Sequence, residues 1–134
     1  MSEADEKLIR DGFARWNAGE REALGELVGP ETEIRSALTS EKLVGREGLR
    51  QWFAEIDEQF QSWKIELRRL EEHSPGCFVG AGSIHARGRH SEMDLEQPVD
   101  WMIQVRDGIL VRFENYIGPG AAAAAAARAD ECAS

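Results

Sequence analysis

The sequence predicts an α+β domain in which helices come first and a mostly antiparallel β-sheet comes last. Over most of the chain before Gln61, apolar residues recur at the helical spacing of about 3.6 residues, and after it they alternate with polar residues as in strands. Turn signals separate the strand-like segments, and Asp107-Gly108 is the strongest of them. Because helices and strands do not alternate along the chain, the pattern is not that of βαβ units with a parallel sheet.

Three helices and one strand are predicted in the N-terminal part. The first helix begins at Ser2, whose hydroxyl can cap it, and is broken at Gly19. A short second helix is ended by Gly29-Pro30, a strand spans residues 32–38, and the third helix begins at Gly45. The apolar residues on the helical faces are Leu8, Ile9, Phe13 and Trp16, then Ala23, Leu24, Leu27 and Val28, then Leu49, Trp52, Phe53, Ile56 and Phe60.

The C-terminal part predicts the sheet. Strands over residues 63–67, 78–89, 93–105 and 111–117 are joined by turns at Ser74-Pro75-Gly76, at His90 and at Asp107-Gly108. Beyond Gly120 the chain has seven consecutive alanines, which favour a helix but offer it no apolar stripe. We therefore predict one domain over residues 1–118, followed by an alanine-rich tail, residues 119–134, that is a frayed helix or disordered.

The composition limits the class of partner. The chain has 134 residues, with 16 Lys or Arg against 25 Asp or Glu, so its formal net charge is −9. Such a surface repels a phosphate backbone, and no apolar run reaches the roughly 20 residues of a membrane helix. We therefore predict no nucleic acid and no membrane as a partner. With Cys132 in a loose tail, no bridge to Cys77 is expected, and a reducing cytoplasm is the predicted location.

Three motifs, in the same order, resemble those of a known family. Residues 13–20, FARWNAGE, are similar to its helix end, residues 45–49, GREGL, to its next helix start, and residues 106–116, RDGILVRFENY, to its final hairpin. Over about residues 4–118 the chain resembles the nuclear transport factor 2-like superfamily, and within it the SnoaL-like, polyketide cyclase-like group. That resemblance implies a cone-shaped roll, in which a curved sheet wraps three N-terminal helices and encloses one pocket. It also implies a homodimer through the outer face of the sheet.

The alternation along the strands predicts which residues face the pocket. Ser36, Gln97 and Asn115 are polar but in phase with apolar neighbours, so they are the candidates to orient a ligand. Alternatively, neighbouring backbone groups satisfy them, and the aromatic residues fill the core. The apolar residues predicted to line the pocket are Phe13, Trp16, Ile34, Trp52, Phe53, Ile84, Trp101 and Phe113.

The resemblance also identifies positions at which family members carry acids and bases. Steroid isomerase-like members have a Tyr and two Asp where this chain has Gly12, Ser36 and Trp101. Asp100 is the carboxylate that could replace them. A bulge at Pro98 would turn it inward, where burial would raise its pKa towards that of a general acid or base. Without a bulge, Asp100 lies on the outer face.

Three functions follow as hypotheses. The first is the binding of a small, largely apolar metabolite in an aromatic-lined pocket. The second is an enzyme of the cyclase, isomerase or hydrolase type with Asp100 as its acid or base. The third is a dimeric interaction domain whose cone is filled by side chains. No cofactor is expected, and no metal site, because His73, His85 and His90 lack the spacing of metal ligands.

Overall fold

The computed structural model describes residues 2–36 and 41–132. No helix within these ranges is long and apolar enough to span a membrane. A 3₁₀ turn at residues 25–27 joins the second helix to the first strand. The helices are α1 (Ser2–Asn17), α2 (Arg21–Leu24), α3 (Gly45–Gln59) and α4 (Ala121–Cys132), and the strands are β1 (Val28–Arg35), β2 (Lys42–Val44), β3 (Phe60–Ser74), β4 (Cys77–Gly88), β5 (Asp94–Arg106) and β6 (Ile109–Tyr116).

The strands form one sheet in the order β2-β1-β6-β5-β4-β3. Strands β1 and β6 pair in parallel, and the other described neighbours are antiparallel. The predicted α+β class and the mostly antiparallel sheet are therefore confirmed. The hairpin at Asp107-Gly108 is also present, with positive φ angles of 54° and 76° at the two residues. Two positive φ angles give the tight turn a twist that matches the flanking strands.

The N-terminal part differs in detail from the predicted three helices and one strand. A single long helix, α1, is followed by one turn of helix, α2, and α3 comes after β1 and β2. Val28, which the periodicity places on the second helix, begins β1 because it pairs with Leu110 of β6. The short β2 pairs with β1 and has no counterpart in the sequence prediction. The predicted end of the first strand at Leu38 lies outside the described residues, and the cone shape stays a prediction.

One face of the sheet packs against α1 and α3 and forms the core. Side chains alternate along β5 and β6, so that Trp101, Ile103 and Phe113 belong to this inner face and its core cluster. Met102 and Glu114 are their neighbours along the strands and point to the outer face. The period of two in the sequence therefore separates the two faces correctly in these strands.

The predicted tail is a helix that packs on the outer face of the sheet. α4 contacts β5, β4 and β6, and its buried residues Ala121, Ala125 and Ala129 are spaced by four. A spacing of four places them in one row on the helix, so the alanines do provide an apolar stripe. Cys132, at the end of α4, forms a disulfide with Cys77 at the start of β4. The predictions of a loose tail and of no bridge are therefore wrong.

Candidate functional site

A cavity opens on the inner face of the sheet, between α1, α3 and the α2–3₁₀ segment (residues 21–27). Its volume is about 70 Å³, and together with its solvent-filled mouth the space between its walls is about 590 Å³. Strands β1, β3, β5 and β6 line its other side. The lining residues are Leu8, Ile9, Gly12, Phe13, Trp16, Leu24, Leu27, Val28, Ile34, Leu49, Trp52, Ile65, Ile103, Leu110 and Phe113.

Four aromatic rings of this lining contact one another. Trp16 stacks on Trp52 with ring centres 5.3 Å apart, and Phe113 meets Trp52 edge-on at 5.8 Å and Phe13 at 6.0 Å. The indole N–H of Trp16 donates to the carbonyl oxygen of Trp63 at 2.8 Å, so that donor is used within the protein. Among the residues that the structure describes, none that lines the cavity has a side chain that titrates. The cavity therefore offers a ligand dispersion and ring contacts, and no charged partner from its lining side chains.

The structure brings some of the predicted apolar pocket residues to the cavity and leaves others in the core. Phe53 and Trp101 pack against lining rings, and Ile84 is buried in the core cluster, but none of the three reaches the cavity. Their prediction as lining residues is corrected, because each packs against other side chains of the core without lining the cavity. Those that do line the cavity are Phe13, Trp16, Ile34, Trp52 and Phe113.

The three polar candidates do not line the cavity either. The Oδ1 atom of Asn115 accepts a hydrogen bond from the indole N–H of Trp101 at 2.8 Å, and its Nδ2 atom donates to the carbonyl oxygen of Arg35 at 2.9 Å. Gln97 donates to a backbone carbonyl of its own strand, and Ser36 is completely buried at the end of β1. Asn115 therefore corresponds to the alternative in which groups of the protein satisfy the polar side chain. Its amide links β5, β6 and β1 instead of facing a ligand.

Asp100 lies on the outer face of the sheet. The bulge at Pro98 that would turn Asp100 inward is absent, since the β4–β5 pairing runs from residue 94 to residue 104 without a register shift. Asp100 pairs with Ala81 and Tyr116, and the alternation turns it away from the inner face that carries the cavity. Partial burial raises the pKa of Asp100, and the nearby Arg69 lowers it in part. Of the two alternatives for Asp100, the structure therefore shows the outer-face position and not the inward one that the enzyme hypothesis requires.

Sequence reasoning missed most of the aliphatic residues of the lining, with Ile34 as the exception. Leu8 and Ile9 stand on the predicted face of the first helix, and Leu24 and Leu27 on that of the second, so their signal is present in the periodicity. They are not predicted as ligand contacts, because that prediction favours polar and aromatic residues. Gly12 has no side chain and gives no periodic signal, so only the resemblance to the steroid isomerase-like members, which carry a Tyr at this position, indicates that it lines a cavity.

Arg21 holds the α2–3₁₀ segment against the cavity. Its guanidinium lies 5.1 Å from the ring centre of Trp16 and 5.0 Å from that of Phe53, and it pairs with Asp57 of α3 at 2.6 Å. A guanidinium over aromatic rings is attracted by their negative faces. These contacts connect the segment to both α1 and α3, and they keep its two leucines at the cavity.

A second cluster of polar groups lies on the outer face, beneath α4. Glu114 is only 3% exposed. Its carboxylate accepts a hydrogen bond from the Tyr116 hydroxyl at 2.6 Å and another from Nε of Arg128, in α4, at 3.1 Å. Burial and the hydrogen bond with Glu114 raise the pKa of Tyr116 to about 12. This cluster ties α4 to β6 and satisfies the buried carboxylate.

We expect Tyr116 to titrate well above an ordinary tyrosine. It is the only tyrosine in the chain, so the ultraviolet absorbance change on forming phenolate reports its pKa alone. The expected midpoint is about 12, against the usual 10.0. Because the folded-state pKa is the higher one, this group's contribution to stability is present below about pH 10 and is lost as the pH rises towards 12.

The Tyr116 prediction has a matched control in Glu114→Gln, which removes the carboxylate but keeps an acceptor. This variant is expected to lower the midpoint, since a neutral amide opposes phenolate formation less than a carboxylate does. Circular dichroism on the same samples shows whether the chain is still folded at each pH. A midpoint near 10 in the folded native protein would contradict the assignment of Tyr116 to a buried hydrogen bond with Glu114.

Solved structures with the same fold are found at low sequence identity. An NTF2-like protein from Burkholderia thailandensis E264 has a TM-score of 0.74 at 20% identity, over 89% of this chain and 94% of that chain. TerC co-crystallised with polyporic acid has a TM-score of 0.74 at 14% identity, over 84% and 89% of the two chains. A protein with a ketosteroid isomerase-like fold from Catenulispora acidiphila DSM 44928, in complex with trimethylamine, has a TM-score of 0.74 at 14% identity, over 92% and 95%.

These similarities define the class of fold as NTF2-like. Among curated proteins, none matches the sequence. The family model described as the SnoaL-like domain matches residues 9–125, which include the first part of α4 and every lining residue named above except Leu8. The chain therefore belongs to the SnoaL-like domain family, as the three sequence motifs predict.

Proposed function

We propose that this SnoaL-like domain binds a small, neutral, largely apolar molecule in the cavity between α1, α3 and the sheet. The observation that carries the proposal is the lining, whose described residues are all apolar or aromatic and include no titratable side chain. A charged ligand would lose its hydration there without gaining a partner, which costs several kcal/mol. An apolar ligand loses little and gains contacts with the aromatic rings.

Two structures of the same fold support the binding of a small organic molecule in general terms, and not the neutral character of the ligand. One was co-crystallised with polyporic acid and the other is in complex with trimethylamine, so both were obtained with small organic molecules. Neither compound is assigned to this chain, because the identities of 14% support a shared fold and nothing finer. The lining residues alone indicate the chemistry of the ligand.

The proposal predicts that the protein distinguishes toluene from benzoate. Benzoate carries a charge and has two more heavy atoms than toluene, so neutral nitrobenzene, which matches benzoate in heavy atoms, is the control for size and is expected to raise Tm. Toluene at about five times its Kd is expected to stabilise the fold by about 1 kcal/mol, which raises Tm by about 3–6 °C. Benzoate at the same concentration is expected to leave Tm unchanged, because nothing in the lining pairs with its carboxylate. Thermal denaturation followed by circular dichroism measures both.

A pair of half-buried leucines provides the control variants. Leu27 lines the cavity from the 3₁₀ turn, whereas Leu70 packs against the core from β3 without lining it. Leu27→Trp fills part of the cavity and is expected to abolish the toluene effect, and Leu70→Trp is expected to keep it. If toluene raises Tm equally in both variants, it binds elsewhere. If toluene never raises Tm, the hypothesis of a filled interaction domain replaces the binding function.

The homodimer through the outer face of the sheet stays a prediction. α4 occupies this face above Met102 and Glu114, which are both buried. A second subunit would therefore use the part formed by β3 and β4. There His85 lies between two carboxylates, 3.0 Å from Glu66 and 3.4 Å from Glu96. A partner subunit would therefore contact the polar side chains of His85, Glu66 and Glu96 instead of an apolar surface.

A further inference from the structure

Gly12 interrupts the side-chain row that α1 presents to the cavity. Leu8, Gly12 and Trp16 are spaced by four, so they follow one another along one face of the helix, and all three line the cavity. The leucine and the tryptophan contribute large side chains on either side of the glycine. The cavity wall therefore has a gap at the middle of the helix.

Neither backbone conformation nor crowding requires a glycine at this position. Gly12 is not among the residues with positive φ. A Cβ atom built on it would have one neighbour within 4 Å outside its own helix, Cδ1 of Leu27 at 3.5 Å, which is an ordinary contact. Gly48 of α3 shows the opposite case, since its Cβ would lie 2.8 Å from the backbone carbon of Leu43. Close approach of the chain accounts for Gly48 and does not account for Gly12.

Glycine in the middle of a helix carries a conformational cost, because it restricts a freer unfolded chain and is a poorer helix former than any residue but proline. At Gly12 no feature of the folded backbone compensates for that conformational cost. What the missing side chain does provide is space, bounded by Leu8, Trp16 and Leu27, inside an apolar cavity.

We propose that Gly12 sets the size of the ligand that the cavity admits, and that the part of the ligand lying against it is an apolar chain or ring edge. This inference rests on the proposed binding function and adds a specificity-determining residue to it. The apolar neighbours of Gly12 define the ligand class further as a neutral hydrocarbon-like group, such as an alkyl-substituted benzene ring. A larger residue at position 12 would occupy the space that the longer ligands need.

The test measures the affinity of one ligand series for three variants. The probes are benzene, toluene, ethylbenzene, n-propylbenzene and n-butylbenzene, with dissociation constants obtained from their effect on Tm. Gly12→Ala adds one carbon atom and Gly12→Leu adds four, both inside the cavity. Ala14→Leu is the control, because Ala14 is exposed on the same helix.

Gly12→Ala is expected to raise Tm without ligand, because alanine favours the helix and its Cβ fits. It is also expected to weaken the longest ligand bound by the native protein by about tenfold, the effect of one carbon atom in a tight apolar pocket. Gly12→Leu is expected to lose every ligand larger than benzene, while Ala14→Leu binds as the native protein does. A stability gain together with a binding loss is not the signature of a merely structural glycine.

Two other outcomes overturn the inference and are distinguishable. If the native protein binds the series and Gly12→Ala binds every member equally well, Gly12 does not limit ligand size, and the binding function stands. If the native protein binds no member of the series, the proposed function fails, and the role of Gly12 fails with it. Gly12→Ala shows whether Gly12 limits the size of the ligand even if Gly12→Leu does not fold.

Discussion

Replacing Trp101 with alanine is expected to lower the free energy of unfolding by about 3–5 kcal/mol, as is usual for a fully buried tryptophan. Trp101 has no exposed surface. It packs against Phe13 of α1 with ring centres 5.0 Å apart and donates its indole N–H to Asn115 at 2.8 Å. The substitution therefore leaves a void next to the ring that lines the cavity, and it removes the donor of a buried amide. Urea denaturation measures the loss.

Trp101→Phe separates the two contributions. It keeps an aromatic ring against Phe13 but leaves Oδ1 of Asn115 without its donor, which costs about 1–3 kcal/mol. We expect a loss between those of the native protein and Trp101→Ala. The toluene affinity of Trp101→Phe is expected to change little, since Trp101 does not line the cavity. Equal stability of the native protein and Trp101→Ala would contradict the buried position of this residue.

Replacing Cys132 with serine is expected to lower the free energy of unfolding by about 2–4 kcal/mol. The Cys77–Cys132 disulfide closes a loop with a sequence separation of 55 residues, and closing a long loop restricts the unfolded chain. It also holds α4, whose own apolar contacts are the small side chains of three alanines. We expect urea denaturation to show the loss, and hydrogen exchange to show faster exchange in residues 121–132.

Reduction of the native protein is the control for the Cys132 prediction. A reductant is expected to shift the native protein towards the stability of Cys132→Ser and to leave that variant unchanged. If reductant and substitution both have no effect, no disulfide holds α4. The outcome also bears on location, because the prediction of a reducing cytoplasm rests on the absence of a bridge. Disulfides form and persist in oxidising surroundings, so the bridge removes that argument.

Much of the fold can be predicted from the sequence because local patterns determine it. The change of period near Gln61, the hairpin at Asp107-Gly108 and the stripe of α3 are each properties of neighbouring residues. The start of β1 is different. Val28 fits the apolar spacing of a helix, and only its pairing with a strand about eighty positions away makes it extended. Short segments are ambiguous by periodicity alone.

The candidate site can be predicted only in part, for a related reason. Alternation indicates which face a residue occupies, and it places Phe113 and Asn115 on the inner face correctly. The alternation does not indicate whether the side chain lines a cavity or packs against another side chain. The side chain of Asn115 is hydrogen-bonded to Trp101 and to the backbone of β1, so it does not reach the cavity. Gly12 has no side chain and is nevertheless part of the cavity wall.

By itself the sequence determined the family, the α+β class, the antiparallel hairpins and the faces of the strands, because each of these follows from residues close together in the chain. The tertiary structure alone decided where α4 packs and which residues line the cavity. Seven alanines have no evident partner in the sequence, but three small side chains in a row fit closely over β5, and Arg128 and Cys132 then meet Glu114 and Cys77. Packing between distant segments depends on shape, and shape exists only after the chain has folded.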